Sequence, residues 1–387
     1  MNEPIYLDNN ATTKIAPEVI DAMKPYLDEF WGNPSSPYNH GNQVKRAIDK
    51  ARIQVASLIG AEDPNEIIFT SGGSESNNMA LHSGVQTLGN KSVVISSPTE
   101  HSAILGPIEE LQKKGHKVIW LSVNEEGNVN LDGLHQVTMQ YLNSLTSIMW
   151  ANNETGVISP IKEIIDIVKT DDSLFHTDAV QAVGKIPINV SEYDIDMLSF
   201  SGHKIYGPKG IGVLYAKRGT RVHSLIHGGH QERGRRGGTE NVLGIVGLGK
   251  ACELTEERIN KDIENISYLR DKLEQGILSS CIGSVLNGDK DNRLPNTTNI
   301  SFEHLDGEAI LFMLDDRNIC VSTGSACESG SLEASHVLKS MEISRNMING
   351  AIRFSLGRYS TENDVNRVLE ELPNIIKKCR ELVPHLK

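Results

Sequence analysis

The stretch Asp196-Met197-Leu198-Ser199-Phe200-Ser201-Gly202-His203-Lys204-Ile205-Tyr206-Gly207-Pro208-Lys209-Gly210 carries a short apolar strand into a polar, glycine-rich turn. It delivers one lysine, Lys204, to the end of that strand. Similar apolar runs precede it at 66–70, 92–96, 117–121, 147–151 and 174–178, and 211–216 follows the 197–200 run. Strands of this length, separated by helical stretches of about 10 to 15 residues, predict a mainly parallel sheet covered by helices on both faces. On such α/β sheets ligands bind beyond the carboxyl ends of the strands. Taken alone, Lys204 is a solvated loop lysine or a reactive amine. An amine becomes nucleophilic when desolvation or nearby positive charge favours its neutral form.

A chain of 387 residues exceeds what one core usually holds. We expect a large domain over 15–258 and a smaller α+β domain built from 1–14 and 259–387. Within the first, apolar residues recur at three and four over 43–59, and Gly60 closes that helix. The second contains a charged helix at 260–278, a strand at 296–302 and a helix at 306–314. A Gly/Ser-rich loop around Cys327, a strand at 351–355 and a final helix from Thr361 complete it.

Fifty acidic against 38 basic residues give a net charge of −12, the wrong sign for a nucleic-acid partner. No apolar run approaches the roughly 20 residues of a membrane helix, so no membrane partner is expected. The start Met1-Asn2-Glu3-Pro4 lacks the features of a secretory signal, which makes the cytoplasm the expected location. The five cysteines are odd in number and contain no CxxC pair, which suits neither a disulfide framework nor a metal site. Cys252, Cys281, Cys320 and Cys379 sit in apolar or helical patterns and read as small buried side chains. Cys327 sits among small residues with nothing apolar to bury it.

Other strand ends carry polar residues. Gly72-Gly73-Ser74 joins a strand to a helix, where backbone N–H groups can cradle an anion or serine can cap the helix. Asp178 and Gln181 leave a strand three positions apart; a carboxylate there could keep a pyridinium nitrogen protonated, or cap a helix. His101 follows another strand and could lie over a planar ring or be structural. Asn153 lies in a polar turn at yet another strand end. The loop 228–241, rich in glycine and arginine and carrying Thr239, could hold a phosphate or pack on another subunit.

Together these pieces resemble the cysteine desulfurases of the NifS and IscS type, within the class V aminotransferase-like, fold-type I pyridoxal-phosphate enzymes. The resemblance runs from Tyr6-Leu7-Asp8-Asn9-Asn10-Ala11-Thr12-Thr13 through Ser201-Gly202-His203-Lys204 to Gly324-Ser325-Ala326-Cys327 and Ile352-Arg353-Phe354-Ser355. Met149 to Gly156, His230 to Arg236 and Asp291 to Thr297 are most similar to the nitrogen-fixation, NifS-type branch. The pattern departs from the family at Ile348-Asn349, where Ala-His is common, and at Ser74, where threonine is common.

The resemblance implies the fold-type I architecture, a large domain with a mainly parallel seven-stranded sheet plus a smaller α+β domain. It implies pyridoxal 5'-phosphate as cofactor, with Lys204 in Schiff-base linkage to it, Asp178 on the ring nitrogen, Gln181 on the phenolic oxygen and His101 stacked on the ring. Gly73, Ser74, Ser201 and His203 would hold the phosphate, with Thr239 reaching across from the second subunit of a homodimer. Arg353 with Asn153 would bind the substrate carboxylate, and Cys327 would accept the sulfur of L-cysteine as a persulfide, releasing alanine. The persulfide would pass to an iron–sulfur scaffold protein of the NifU or IscU kind. A selenocysteine lyase or an aminotransferase of the same fold is the nearest alternative, and a non-catalytic docking scaffold is another.

Overall fold

The computed structural model describes residues 3–89, 92–170, 172–323 and 334–382. Its strands are β1 (Ile5–Tyr6), β2 (Ile67–Thr70), β3 (Val93–Ser96), β4 (Lys117–Trp120), β5 (Ser144–Ser147), β6 (Leu174–Asp178), β7 (Met197–Ser201) and β8 (Gly212–Ala216). Beyond these lie β9 (Ser284–Asn287), β10 (Thr297–Phe302), β11 (Ile319–Cys320), β12 (Ser322–Thr323) and β13 (Ala351–Ser355). Seven strands form one sheet in the order β2-β8-β7-β6-β5-β3-β4. All neighbours are parallel except β8, which runs antiparallel to both β2 and β7. The mainly parallel seven-stranded sheet expected from the sequence is therefore present.

Alternation along the strands sorts their side chains to two buried layers. Leu198, Phe200, Val213 and Phe175 pack with Val55, Ile59, Ile245 and Leu248 on one face. Met197, Leu214, Val94 and Leu145 pack with Met79, Leu81 and Ile104 on the other. A separate four-stranded antiparallel sheet, β12-β13-β10-β9, covers a third apolar cluster that includes Ile300, Phe302, Ile352, Phe354, Val368 and Leu372. The N-terminal strand β1 joins this region by pairing parallel with β11.

Two elements differ from the sequence reading. The apolar run 147–151 is not the strand: β5 comes earlier, at Ser144–Ser147, and Ile148 to Ala151 form the buried segment beyond it. Hydroxyl side chains hid this strand. Ser144, Thr146 and Ser147 are buried, Ser147 Oγ lies 2.9 Å from His176 Nδ1, and the Ser147 carbonyl accepts from Ser96 Oγ at 2.8 Å.

The helix expected at 260–278 spans Val242–Ser280, 39 residues or about 58 Å at 1.5 Å per residue. Its glycine-rich first half disfavours a helix by propensity, but packing overrides that. A Cβ on Gly249 would stand 2.7 Å from Ala51 Cα, so only glycine lets this helix lie directly against Asn39–Ile59. The helix runs without interruption through residues 258 and 259.

Candidate active site

β2, β3, β6 and β7 are oriented alike and end at one rim of the large sheet. A cavity of about 300 Å³ opens there, lined by Gly73, Ser74, His101, Asn153, Asp178, Gln181, Ser201, His203 and Lys204 together with Asn10, Asn77 and Met149. Nine residues singled out from the sequence thus meet at one place. Lys204 occupies the single turn Gly202–Lys204 after β7, and its Nζ donates to the carbonyls of Asn10 at 2.5 Å and Ala11 at 2.7 Å.

Asp178 is the last residue of β6. Its Oδ1 accepts from the Val180 N–H at 2.9 Å and its Oδ2 from Asn77 Nδ2 at 2.6 Å. Asn77 lies one turn into the helix Gly73–Leu88, so the helix that presents an anion cradle also fixes the carboxylate. That helix starts very close to the sheet. A Cβ on Gly212 of β8 would be 2.5 Å from the Gly72 backbone, which explains glycine at 212. Ser201, whose Cβ would lie 3.8 Å from a Cβ on Gly73, precedes the lysine turn, and His203 lies within it. Burial, with Lys204 and Lys209 adding, lowers the His203 pKa to about 4, so that ring is neutral near pH 7.

His101 caps the helix Ser102–Lys113, its Nδ1 accepting from the Ala103 N–H at 3.1 Å. An accepting Nδ1 carries no proton, which leaves the proton of the neutral ring on Nε2. Burial lowers the His101 pKa; Asp178 opposes this and Lys204 and His336 add to it. Immediately before it, Glu100 is fully buried. Its Oε1 accepts from the Met149 N–H at 2.7 Å, while Oε2 has no partner among the described residues. Burial pushes this carboxyl well above the usual range, the Met149 bond opposing and Asp178 adding.

Arg353 lies behind the cavity wall. Nη1 donates to the Asn153 carbonyl at 3.1 Å and Nη2 to Asp8 Oδ1 at 2.7 Å, with the side chain 1% exposed. Thr239 is exposed and does not line the cavity. Cys327 lies outside the described residues, but both flanks of its segment reach the site. Ser322 and Thr323 pair with Arg353 and Ile352. Ser335 Oγ donates to Glu154 Oε2 at 2.5 Å, and His336 Nε2 donates to the Glu100 carbonyl at 2.9 Å. Of the other cysteines, Cys252, Cys281 and Cys379 are buried and Cys320 is half-buried.

Asn10, Asn77, Glu100 and Lys185 were not identified from the sequence as parts of the site. Asn10 is a hub. Its carbonyl receives Lys204 and Gln181, its Oδ1 receives Lys185 and Asn296, and its Nδ2 donates to the Asn153 carbonyl and Thr297 Oγ1. Its signal in the sequence is only a polar pair after a short strand.

A lysine amine, a fixed carboxylate, a neutral imidazole and a helix start are gathered at the rim of a mainly parallel sheet, groups able to move protons and to meet an anion. The aminotransferase class-V family matches residues 5–368. A cysteine desulfurase of Trichormus azollae is 51% identical over 380 residues, 98% of this chain and 94% of its own length. The cysteine desulfurase NifS of Azotobacter vinelandii is 46% identical over 381 residues, covering 98% and 94%. A solved NifS-like protein superposes with a TM-score of 0.91 at 38% identity, covering 97% of this chain and all of the other. The chain belongs to the aminotransferase class-V family, among its cysteine desulfurases.

Proposed function

We propose that this protein is a pyridoxal-phosphate-dependent cysteine desulfurase that moves sulfur from L-cysteine to Cys327 for iron–sulfur cluster assembly. The observation that carries this is the convergence of Lys204, Asp178, His101 and the anion cradle on one cavity, with both flanks of the Cys327 segment anchored beside it.

The donor set fits the cofactor. Gly73 and Ser74 at the start of a 16-residue helix, with Ser201 and His203 lining the same cavity, suit a phosphate. Thr239 of a second copy would complete that cradle in a homodimer. Asp178, held at both oxygens, would keep the ring nitrogen protonated; Gln181 would donate to the ring oxygen, and Lys204 would hold the aldehyde carbon. When bound, pyridoxal phosphate supplies an electron sink for negative charge at the substrate α carbon.

The protein's own groups do the rest. Arg353, backed by Asp8 and the Asn153 carbonyl, presents a planar guanidinium to the substrate carboxylate. Lys204, at the rim, moves the proton at the α carbon. His101, neutral with its proton on Nε2, would lie against the ring and assist proton transfer. The Cys327 thiolate attacks the substrate sulfur. An S–S bond forms, the C–S bond breaks with its electron pair going to carbon, and protonation there yields alanine. The persulfide then passes to an iron–sulfur scaffold protein. Such thiol chemistry needs a reducing compartment, which favours the cytoplasm.

In this reading 15–258 is the cofactor-holding domain, and 1–14 with 259–387 is the smaller domain that brings Arg353 and Cys327. Alanine formation from L-cysteine, abolished by Cys327→Ser under conditions without added thiol, tests the function. Undiminished turnover by that variant would refute the role of Cys327.

A further inference from the structure

Lys185 lies four residues beyond Gln181, and its Nζ donates to Asn10 Oδ1 at 2.8 Å and to Gln181 Oε1. Part of the residue reaches the surface, yet its charged end is enclosed by these two oxygens. Burial, with the charges of Lys204 and Arg353 adding, pushes this ammonium well below the ordinary lysine range. No step of the sulfur transfer uses it.

A carboxamide can turn either its oxygen or its NH2 toward a cavity, and its neighbours decide which. A lysine has at least two N–H donors in either protonation state, enough to donate to both oxygens at once. The other end of Gln181 meets the Asn10 backbone carbonyl, which can only accept, so the end that faces Lys185 is the oxygen. Its NH2 is turned to the Asn10 carbonyl, 3.0 Å away, on the cavity side. Asn10 is fixed in the same way. Oδ1 accepts from Lys185 and from Asn296 Nδ2 at 3.0 Å, which leaves Nδ2 to donate to the Asn153 carbonyl at 3.1 Å and Thr297 Oγ1 at 2.8 Å. One side chain thus donates to the oxygens of two amides around Lys204 and supports the polarity that the Asn10 and Asn153 carbonyls also favour.

We infer that Lys185 is a positioning residue that locks Gln181 with its NH2 facing the cavity, so that an anionic ring oxygen meets a donor and never the amide oxygen. The inference rests on the pyridoxal phosphate reading above and extends it to a residue that does not line the cavity. Were Gln181 to turn over, its oxygen would oppose that anion and the cofactor would be held less tightly.

The test uses the full-length protein with pyridoxal phosphate, reading the position of the bound cofactor's visible band and its dissociation constant. Lys185→Arg, which keeps a donor-only group, should hold both close to the parent, the affinity within about threefold. Lys185→Gln can offer either end of its own amide, leaves only the Asn10 carbonyl to orient Gln181, and should shift the band and weaken binding about tenfold. In a Gln181→Ala background the same substitution should cost less than about twofold, because there is nothing left to orient. Parent-like behaviour of Lys185→Gln, or the same loss in both backgrounds, would overturn the assignment. Lys185→Met provides the same comparison if the glutamine variant does not fold; loss of fold in both would also overturn it, since orienting Gln181 is not a folding role. A parent protein that develops no visible band with pyridoxal phosphate would overturn the cofactor reading instead.

Discussion

Arg353 and Asp8, 345 positions apart in the chain, form an ion pair at 2.7 Å in which the guanidinium is buried and the carboxylate half-buried, and Ser322 of β12 pairs with Arg353 across the strand register. The N-terminal segment, the strand β13 and the flank of the Cys327 segment therefore meet at one guanidinium. Nε of Arg353 has no partner among the described residues, so the fork retains donor capacity for a carboxylate.

Arg353→Lys removes that fork while keeping the charge. Losing a hydrogen bond to a charged group costs about 1.5–3 kcal/mol, so KM for L-cysteine should rise about ten- to hundredfold. The change in kcat should be smaller, and steady-state kinetics separate the two. An equal loss in kcat with KM unchanged would place Arg353 elsewhere in the mechanism.

Lys204 should be the attachment point of the cofactor. Borohydride reduction of the yellow protein, followed by peptide mapping, is expected to find pyridoxyl phosphate fixed on the peptide containing Lys204. Label on Lys185 instead would reverse the assignment.

How much of this was legible in the sequence follows from where each residue's role is decided. Lys204, Asp178, His101 and Ser74 stand at or just past the ends of apolar runs, so the strand pattern put each at a strand end, while their joint roles came from the family resemblance. Asn77 and Asn10 were not legible because their partners, Asp178 and Lys185, are 101 and 175 positions away. The strand β5 was misplaced because three of its four buried side chains are hydroxyls, Ser144, Thr146 and Ser147, which break the apolar pattern of a buried strand. The first half of the Val242–Ser280 helix was missed for a related reason: its glycines weaken the helix locally but permit contact with Ala51.

Stability should fall in mild acid, in part through His176. This residue is wholly buried between Ser147 Oγ at 2.9 Å and Ser199 Oγ at 3.0 Å, and burial lowers its pKa from 6.5 to about 3. The unfolded chain therefore takes up this proton first. The contribution is full above the unfolded value and is lost as pH falls from 6.5 toward about 3, at about 1.4 kcal/mol per pH unit. Urea unfolding at pH 7 and pH 5 should show a steeper loss in the parent than in His176→Gln; parallel losses would contradict this.

The buried pair Arg52 and Glu232, 2.7 Å apart, ties the glycine- and arginine-rich loop to the large sheet, because Glu232 Oε2 also accepts from the Phe69 N–H at 3.1 Å. Arg52→Met would strand a buried carboxylate and should destabilise the protein by about 3–5 kcal/mol. Adding Glu232→Gln should recover most of this loss, since an amide keeps the bond to Phe69 without a charge. Unfolding midpoints in urea decide it, and a double variant no better than the single would show that the charge is not the cause.

The central claim is that Lys204 and Cys327 act on one substrate, the first at its α carbon and the second at its sulfur. Brief exposure of the protein to L-cysteine without reductant, followed by peptide mass spectrometry, tests it most directly. The account predicts one added sulfur on the peptide carrying Cys327, with Cys252, Cys281, Cys320 and Cys379 unmodified. Full alanine production with Cys327 unmodified would contradict it.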